Sequence, residues 1–201
     1  MTNPFRPISI SLSPNVQSDD VKLAFSLLFQ RVRPSENSEG LTLQTEFAKY
    51  LGAKHAYAFN SGRSALMAIL DALELPKGDQ VLLQAFTCNA AVNPIRWAGL
   101  EPVFVDCDEN YNLSAADLKK KITGKSKAVM VQHTFGLPAE IDAIQKVCAE
   151  HNLILIEDCA HSLGAEYHGR RIGTFGKAAF FSFGRDKIIS CVYGEIGRAS
   201  C

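Results

Sequence analysis

The sequence predicts an α/β fold with three layers, in which a mostly parallel sheet carries helices on both faces. Short apolar runs alternate with helical stretches from residue 55 to residue 183. Strands that alternate with helices are joined by crossovers, which place consecutive strands parallel in one sheet. The 201 residues, 47% of them hydrophobic, also suffice for one sizeable domain with a core.

The segment before residue 55 predicts an extended lead-in and two helices. Prolines interrupt residues 1–17, and the first helix is predicted to begin with Ser18 as N-cap and to end at Pro34. A second short helix fits Leu43–Leu51 and stops at Gly52. The apolar face of the first helix comprises Val21, Phe25, Leu28, Phe29 and Val32.

Apolar runs and helical spacing then predict the elements of the sheet and its covering layers. The predicted strands are 55–59, 80–84, 102–106, 127–132, 153–158 and 178–183, and the predicted helices are 64–73, 90–98, 115–122 and 139–151. Ligands of such sheets bind beyond the carboxyl ends of the strands. We therefore look for chemistry in the loops that follow the strands.

Composition argues against several classes of function. Lys plus Arg is 21 and Asp plus Glu is 21, so no net basic field attracts nucleic acid or an anionic membrane. No apolar run approaches the ~18 residues that span a bilayer, and the N-terminus lacks the pattern of a signal peptide. The six cysteines form no C-x-x-C pair. We expect a cytoplasmic protein with free thiols, no metal, and neither nucleic acid nor membrane as partner.

The first candidate site is the turn Asn60-Ser61-Gly62-Arg63-Ser64, which follows a predicted strand and opens a helix. The free amides at a helix start and the helix dipole favour a phosphate. Many strand–helix turns use Ser and Gly without binding anything, so the turn alone identifies no ligand. No G-x-G-x-x-G opens any helix, which argues against a nicotinamide enzyme.

Two further candidates follow the strand at 153–158. Side chains alternate along a strand, so Asp158 and Glu157 should point to opposite faces, and Asp158 is the better candidate for facing a ligand. Such an acid can also simply cap the next turn. His161 lies three residues on and could touch the same ligand, although a lone histidine is more often structural.

The last candidates follow the strand at 178–183. A lysine at the mouth of a buried strand, such as Lys187, can lose its charge by desolvation and become nucleophilic. Most isolated lysines are solvated surface charges. Ser182 lies five residues earlier and could donate to a phosphate.

Together, a Ser-Gly turn, an acid at a strand end and Ser-x4-Lys closely resemble the DegT/StrS-type family of pyridoxal phosphate (PLP)-dependent sugar aminotransferases. The resemblance runs from about Leu41 to Gly194 and is strongest in EDCAHSLGAEYHGRRIGTFGKAAFFSFGRDK, residues 157–187. It implies a PLP fold-type-I large domain over residues 41–201, after a lead-in and helix at 1–40.

The resemblance implies catalytic roles for three residues. Lys187 would carry PLP as a Schiff base and later move a proton between substrate and cofactor. Asp158 would keep the pyridine nitrogen protonated, so that the ring accepts electrons. His161 would lie near the phenolic oxygen of the ring.

The resemblance also implies cofactor-binding roles. The amides at Gly62 and Arg63 and the hydroxyl of Ser182 would hold the phosphate, although Arg63 stands where the family commonly has Thr. Cys88, in the turn Ala85-Phe86-Thr87-Cys88, would lie over the ring, where related sequences often carry an aromatic side chain. A thiol offers less stacking area, and Cys88 could equally be an ordinary core residue.

For the full-length protein the resemblance implies a homodimer that acts in cell-surface polysaccharide biosynthesis. It would transfer an amino group, from glutamate, to a keto sugar nucleotide. After Glu195 the chain reads IGRASC, whereas family members continue into a smaller C-terminal domain. We therefore expect a truncated large domain that is nearly inactive alone.

Two alternatives stay open. Another fold-type-I activity, such as a lyase or desulfurase, is one, but a desulfurase needs a mobile catalytic cysteine, and neither Cys191 nor Cys201 has a supporting context. A non-catalytic PLP-binding fragment or regulator is another. The dehydratase branch of the family carries a histidine in place of the lysine, so Lys187 argues against it.

Overall fold

The structure is a computed structural model that describes residues 18–29, 38–184, 186–189 and 194–199. The predicted lead-in, the predicted helix end at Pro34 and the cysteines Cys191 and Cys201 lie outside the described residues. Of the helices that the structure describes, none is both long and apolar enough to cross a membrane.

The order of elements follows the alternation that the sequence predicts. The helices are α1 (Ser18–Phe29), α2 (Ser38–Leu51), α3 (Gly62–Ala72), α4 (Asn89–Trp97), α5 (Ala115–Lys121) and α6 (Ile141–Glu150). The strands are β1 (His55–Phe59), β2 (Gln80–Gln84), β3 (Glu101–Val105), β4 (Ser126–Gln132), β5 (Ile154–Asp158), β6 (Glu166–Tyr167), β7 (Arg170–Arg171), β8 (Ala178–Ser182) and β9 (Glu195–Ala199). A single 3₁₀ turn at Thr134–Gly136 follows β4.

Seven strands form one sheet in the order β1-β9-β8-β5-β4-β2-β3. The neighbours from β8 to β3 pair in parallel, whereas β9 runs antiparallel to both β1 and β8. Six strands therefore point the same way, and their carboxyl ends meet at one edge of the sheet, the carboxyl edge. The amino end of β9 joins them there. The fold is the mostly parallel α/β sheet that the sequence predicts.

Helices cover both faces of this sheet. The apolar sides of α3 and α4 pack on one face through residues such as Leu66 and Ile95. On the other face, α5 and α6 pack through residues such as Leu118 and Ile144. There α2 covers β8 and β9, and the ring of Phe47 meets Phe181 edge-on at a centroid distance of 5.0 Å.

The structure departs from the sequence prediction in five elements. Helix α2 begins at Ser38, five residues before the predicted start at Leu43. Strand β9 and the β6–β7 hairpin were not predicted at all. The apolar face predicted for α1 is not buried in this structure, and Phe29 is 85% exposed.

The buried carboxylate of Glu157 joins three separate parts of the sheet. It accepts hydrogen bonds from the amides of Gly173, Phe175 and Gly176 at 2.8, 2.7 and 2.6 Å. The guanidinium of Arg198 on β9 lies 3.6 Å from its Oε1, and Arg198 also donates to the carbonyls of Gly173 and Gly176. These groups tie the end of β5 to the loop before β8 and to β9.

His133 completes this arrangement, which we call the Glu157 network. Its Nδ1 accepts a hydrogen bond from the amide of Ala139 at 3.1 Å. The proton of a neutral ring must therefore sit on Nε2, which lies 3.4 Å from Oε2 of Glu157. Burial raises the pKa of Glu157, but the hydrogen bonds from His133, Gly176 and Gly173 outweigh it, so the pKa is lowered overall.

Replacing Glu157 with glutamine should destabilise the fold strongly. Glu157→Gln keeps the volume, but its amide replaces one acceptor oxygen by an NH₂ donor that faces other donors, and Arg198 loses its counter-charge. We expect this to cost about 3 kcal/mol. Urea denaturation measures the loss, and the exposed Glu109→Gln serves as the matched control.

The same pair of proteins gives a pH test with a defined sign. Because folding lowers the pKa of Glu157 below its ordinary 4.5, its stabilisation is complete above that value and is lost as the pH falls through the folded pKa. The wild-type advantage over Glu157→Gln should therefore shrink in acid. A stability difference between the two proteins that does not change with pH, or that is absent at neutral pH, would contradict the structural role of the Glu157 network.

Candidate active site

All seven residues that the sequence analysis singled out line one cavity of about 610 Å³ at the carboxyl edge. They come from turns after four different strands and from the ends of two strands. These residues are Gly62, Arg63, Cys88, Asp158, His161, Ser182 and Lys187. The topology thus brings together residues that lie up to 125 positions apart in the sequence.

The turn between β1 and α3 presents the start of a helix to the cavity. Ser61 is the N-cap in an extended conformation, and its Oγ accepts from the amide of Ser64 at 3.2 Å. The hydroxyl of Ser64 in turn donates to Oδ1 of Asn60 at 2.7 Å. The turn is therefore held by its own side chains, and the amides of Gly62 and Arg63 are at the positive end of the helix dipole.

Asp158 is the buried acid of the cavity. Strand alternation places Glu157 on the opposite side, in the Glu157 network, as the sequence predicts. Oδ1 of Asp158 accepts from the amide of Ala160 at 3.0 Å. Burial raises the pKa of Asp158 to about 6, against the opposing effects of the Ala160 amide, His133 and Lys187. The carboxyl group is thus ionised at neutral pH, although burial makes its charged form less stable than it would be in water.

His161 offers the cavity a polar atom that is not yet used. Its ring stacks on Phe135 with an interplanar angle of 8° and a centroid distance of 5.9 Å. Its Nδ1 is buried and has no hydrogen-bond partner among the described residues. Burial and the charge of Lys187 lower the pKa of His161. A neutral ring with a buried, unpaired nitrogen suits a polar ligand.

Lys187 brings a partly shielded amine to the same cavity. Its Nζ lies 3.0 Å from Oδ2 of Asp186, and its side chain is only 13% exposed. Ser182 at the end of β8 accepts from the amide of Gly184 at 3.3 Å, which holds the start of the loop that carries the lysine. The spacing Ser-x4-Lys thus places hydroxyl and amine on one cavity wall.

The mouth of the cavity carries aromatic rings that the sequence analysis did not assign. Cys88 is exposed and acts as the N-cap of α4, its Sγ accepting from the amide of Ala90 at 3.4 Å. Beside it, Phe86 contacts the ring of Tyr111 at 5.2 Å and that of Phe135 at 6.1 Å. Phe86 and Phe135 line the cavity with Cys88, so aromatic surface is available near the thiol.

Sequence reasoning also missed polar residues of the cavity. Gln132 ends β4 and accepts from the hydroxyl of Thr87 at 2.8 Å, which fixes the loop after β2. Glu195, the first residue of β9, lines the cavity as well. The rule that ligands bind at strand ends could have indicated Gln132, whereas Glu195 could be found only once β9 was known to run antiparallel.

A second group of potential ligands lies outside this cavity. Side-chain atoms of His133, Glu157 and Cys159 are buried within 4.8 Å of one another, a spacing that could suit a metal ion. Both carboxylate oxygens of Glu157 already accept amide hydrogens, and His133 Nδ1 accepts from Ala139. These bonds assign the group to the Glu157 network and give it a structural role.

The cavity fits the cofactor that the sequence resemblance implies. PLP carries a phosphate, a ring nitrogen and an aldehyde, and the cavity offers a different kind of group for each. The amides of Gly62 and Arg63 with the hydroxyl of Ser182, called here the anion cradle, suit a phosphate. A buried carboxylate and an amine, from Asp158 and Lys187, suit the other two.

Comparison with known proteins agrees with this fit. Residues 35–198 match the DegT/DnrJ/EryC1/StrS aminotransferase family. GDP-perosamine synthase of Vibrio cholerae is 41% identical over 148 residues, which cover 73% of this chain and 40% of that protein. A dTDP-4-dehydro-2,6-dideoxy-D-glucose 3-dehydratase of Saccharopolyspora spinosa is 34% identical over 191 residues, which cover 90% of this chain and 40% of that protein.

Solved structures share the fold. An aminotransferase of Psychrobacter cryohalolentis superposes with a TM-score of 0.87 and 31% sequence identity, over 98% of this chain and 50% of that one. The chain spans about two fifths of the length of the curated relatives and about half that of the solved structure. The chain belongs to the DegT/DnrJ/EryC1/StrS aminotransferase family, whose fold is PLP fold type I and whose cofactor is pyridoxal phosphate.

Proposed function

We propose that this protein transfers an amino group from glutamate to a keto sugar nucleotide. The observation that carries the proposal is the convergence of Lys187, Asp158 and the anion cradle on one cavity at the carboxyl edge. Relatives named as a perosamine synthase and a dTDP-sugar transaminase support a sugar substrate that carries a nucleotide.

PLP, when bound, supplies a reactive aldehyde and a ring that accepts electrons. Lys187 has the one amine in the described part of the cavity lining, so it is the residue that would attach the cofactor. The same amine would also carry a proton between the substrate carbon and the cofactor. The ion pair between its Nζ and Oδ2 of Asp186, at 3.0 Å, holds the end of the lysine side chain in place.

Asp158 would hold the proton of the ring nitrogen. With its pKa at about 6 the group is a carboxylate at neutral pH, and a buried anion gains most from a cationic neighbour. His161 would accept or donate a hydrogen bond through its unpaired Nδ1 to the phenolic oxygen. Cys88, with Phe86 beside it, would cover the face of the ring.

The finer parts of the proposal follow from the family resemblance and rest on the same site. They are glutamate as donor, a homodimer as the working form, the assignment of residues 41–201 to the large domain, and a role in the cytoplasmic synthesis of cell-surface polysaccharide. A sugar dehydratase is the second candidate, because one relative carries that name. The lysine at position 187 favours amino transfer.

Lys187 should be the residue that PLP modifies. Reduction of the PLP-loaded protein with borohydride followed by peptide mapping should label Lys187 in the wild type and give no label in Lys187→Arg. The exposed Lys146→Arg is the matched control and should be labelled like the wild type at Lys187. A label on any other lysine of the wild type would refute the assignment.

Asp158→Asn should separate binding from chemistry. The amide keeps the shape of the side chain but cannot stabilise a protonated ring nitrogen, so we expect PLP to bind while amino transfer falls by about a hundredfold or more. Absorbance titration measures the first quantity and single-turnover kinetics with glutamate measure the second. The exposed Asp71→Asn should change neither, and near-normal turnover of Asp158→Asn would exclude the role.

The substrate proposal is tested with a panel of keto sugar nucleotides. With glutamate as donor, an amino sugar nucleotide and 2-oxoglutarate should form in equal amounts. Loss of a hydroxyl from the sugar without gain of nitrogen would instead identify a dehydratase. Formation of neither product from any sugar of the panel, by a full-length protein shown to be PLP-loaded, would count against both candidates.

A further inference from the structure

Glu195 reaches the anion cradle because of the direction of β9. The strand runs antiparallel between β1 and β8, and its first residue pairs with Phe59 and with Ser182. Both partners lie at the carboxyl edge. Because β9 runs in the opposite direction, its amino end lies at that edge. Glu195 consequently lines the same cavity as Lys187 and Asp158.

The carboxylate of Glu195 uses the same groups that suit a phosphate. Its oxygens lie against Gly62, where an added Cβ would be 3.1 Å from Oε1. The amide of Gly62 and the hydroxyl of Ser182 act on this carboxylate and favour its ionised form. Its Oε2 is buried and has no hydrogen-bond partner within the described ranges. One carboxylate oxygen thus lies against the cradle, and the other is buried without a partner there.

Other charged groups face this carboxylate from several elements. Burial raises the pKa of Glu195 to about 7. The polar groups of Ser182 and Gly62 oppose this, Asp158 on β5 raises the pKa further, and Lys187 lowers it. Arg63 on α3 and His161 after β5 line the same cavity. Neutral and ionised forms of Glu195 are therefore both accessible close to neutral pH.

A phosphate and an ionised carboxylate cannot share one pair of donors without strong repulsion, since two like charges a few ångströms apart in a half-buried site are poorly screened. A neutral carboxyl group removes this repulsion and can itself donate a hydrogen bond to a phosphate oxygen. We propose that Glu195 controls cofactor loading, in that the phosphate of PLP enters the anion cradle when Glu195 is neutral. The inference rests on the proposed function, because PLP is the ligand considered.

The test compares PLP affinity of the wild type and of Glu195→Gln between about pH 6 and about pH 8.5. The apparent affinity of a ligand falls with the fraction of protein that can bind it. We therefore expect the ratio of the wild-type Kd to the Glu195→Gln Kd to rise on the order of tenfold across this range. Effects of pH on PLP itself are common to both proteins and cancel in the ratio.

Two controls test whether the effect requires the phosphate of the ligand and the position of the carboxylate. Pyridoxal has the same ring and aldehyde but no phosphate, so its affinity ratio should stay constant with pH. Glu109→Gln removes an exposed carboxylate that does not line the cavity and should behave as the wild type. If Glu195→Gln fails to fold, Glu195→Ala takes its place in the ratio, because it also removes the carboxylate and still cancels the effects of pH on PLP.

The outcomes separate this inference from the proposed function. PLP binding by the wild type with a pH-independent affinity ratio would overturn the role of Glu195 and leave the cofactor assignment intact. A ratio that rises for pyridoxal as strongly as for PLP would also overturn it. Failure of both proteins to bind PLP at any pH would overturn the cofactor site itself, and the inference with it.

Discussion

The buried carboxylate of Glu157 is the constraint on which the geometry of the cavity depends. It holds the loop at residues 173–176 through three amide hydrogen bonds and meets Arg198 of β9. Asp158 follows it directly in the chain, so the bonds that fix Glu157 on one side of β5 also fix the acid of the cavity on the other. One acid thus holds the structure on one face of the strand, and its neighbour faces the cavity on the other.

Much of the fold could be predicted because parallel sheets leave a clear pattern in the sequence. The alternation of apolar runs with helical stretches predicted each end of the parallel strands to within one residue. Strand β9 was not predicted because its sequence, EIGRA, contains a glycine and an arginine, which ordinarily argue against a buried strand. Tertiary contacts explain both residues. A Cβ on Gly197 would lie 3.1 Å from the ring of Phe59, and Arg198 is paired with Glu157.

The candidate site likewise contains residues that the sequence could predict and residues that it could not. Asp158, His161 and Lys187 follow strands that the sequence reveals, so the rule that ligands bind at carboxyl ends brought them together. Phe135 was not predicted because its position depends on a backbone turn with a φ of 52°, which places its ring on His161. Glu195 was not predicted because it enters from the amino end of a reversed strand. The chemical roles of these residues stay predictions, whereas their meeting in one cavity is a feature of the fold.

The insertion of β9 between β1 and β8 has a consequence for the order of folding. Within the described sheet, β1 pairs with β9 alone, and the register joins His55 to Ala199 across most of the chain. Contacts between residues so distant in sequence form slowly, because a long loop must close first. During synthesis β1 cannot take its place until residues 195–199 have left the ribosome. The helix start at Gly62 and the hydroxyl of Ser182 flank β9, so the pocket for an anion is assembled only after residues 195–199 have been made, and a shorter nascent chain cannot yet offer it.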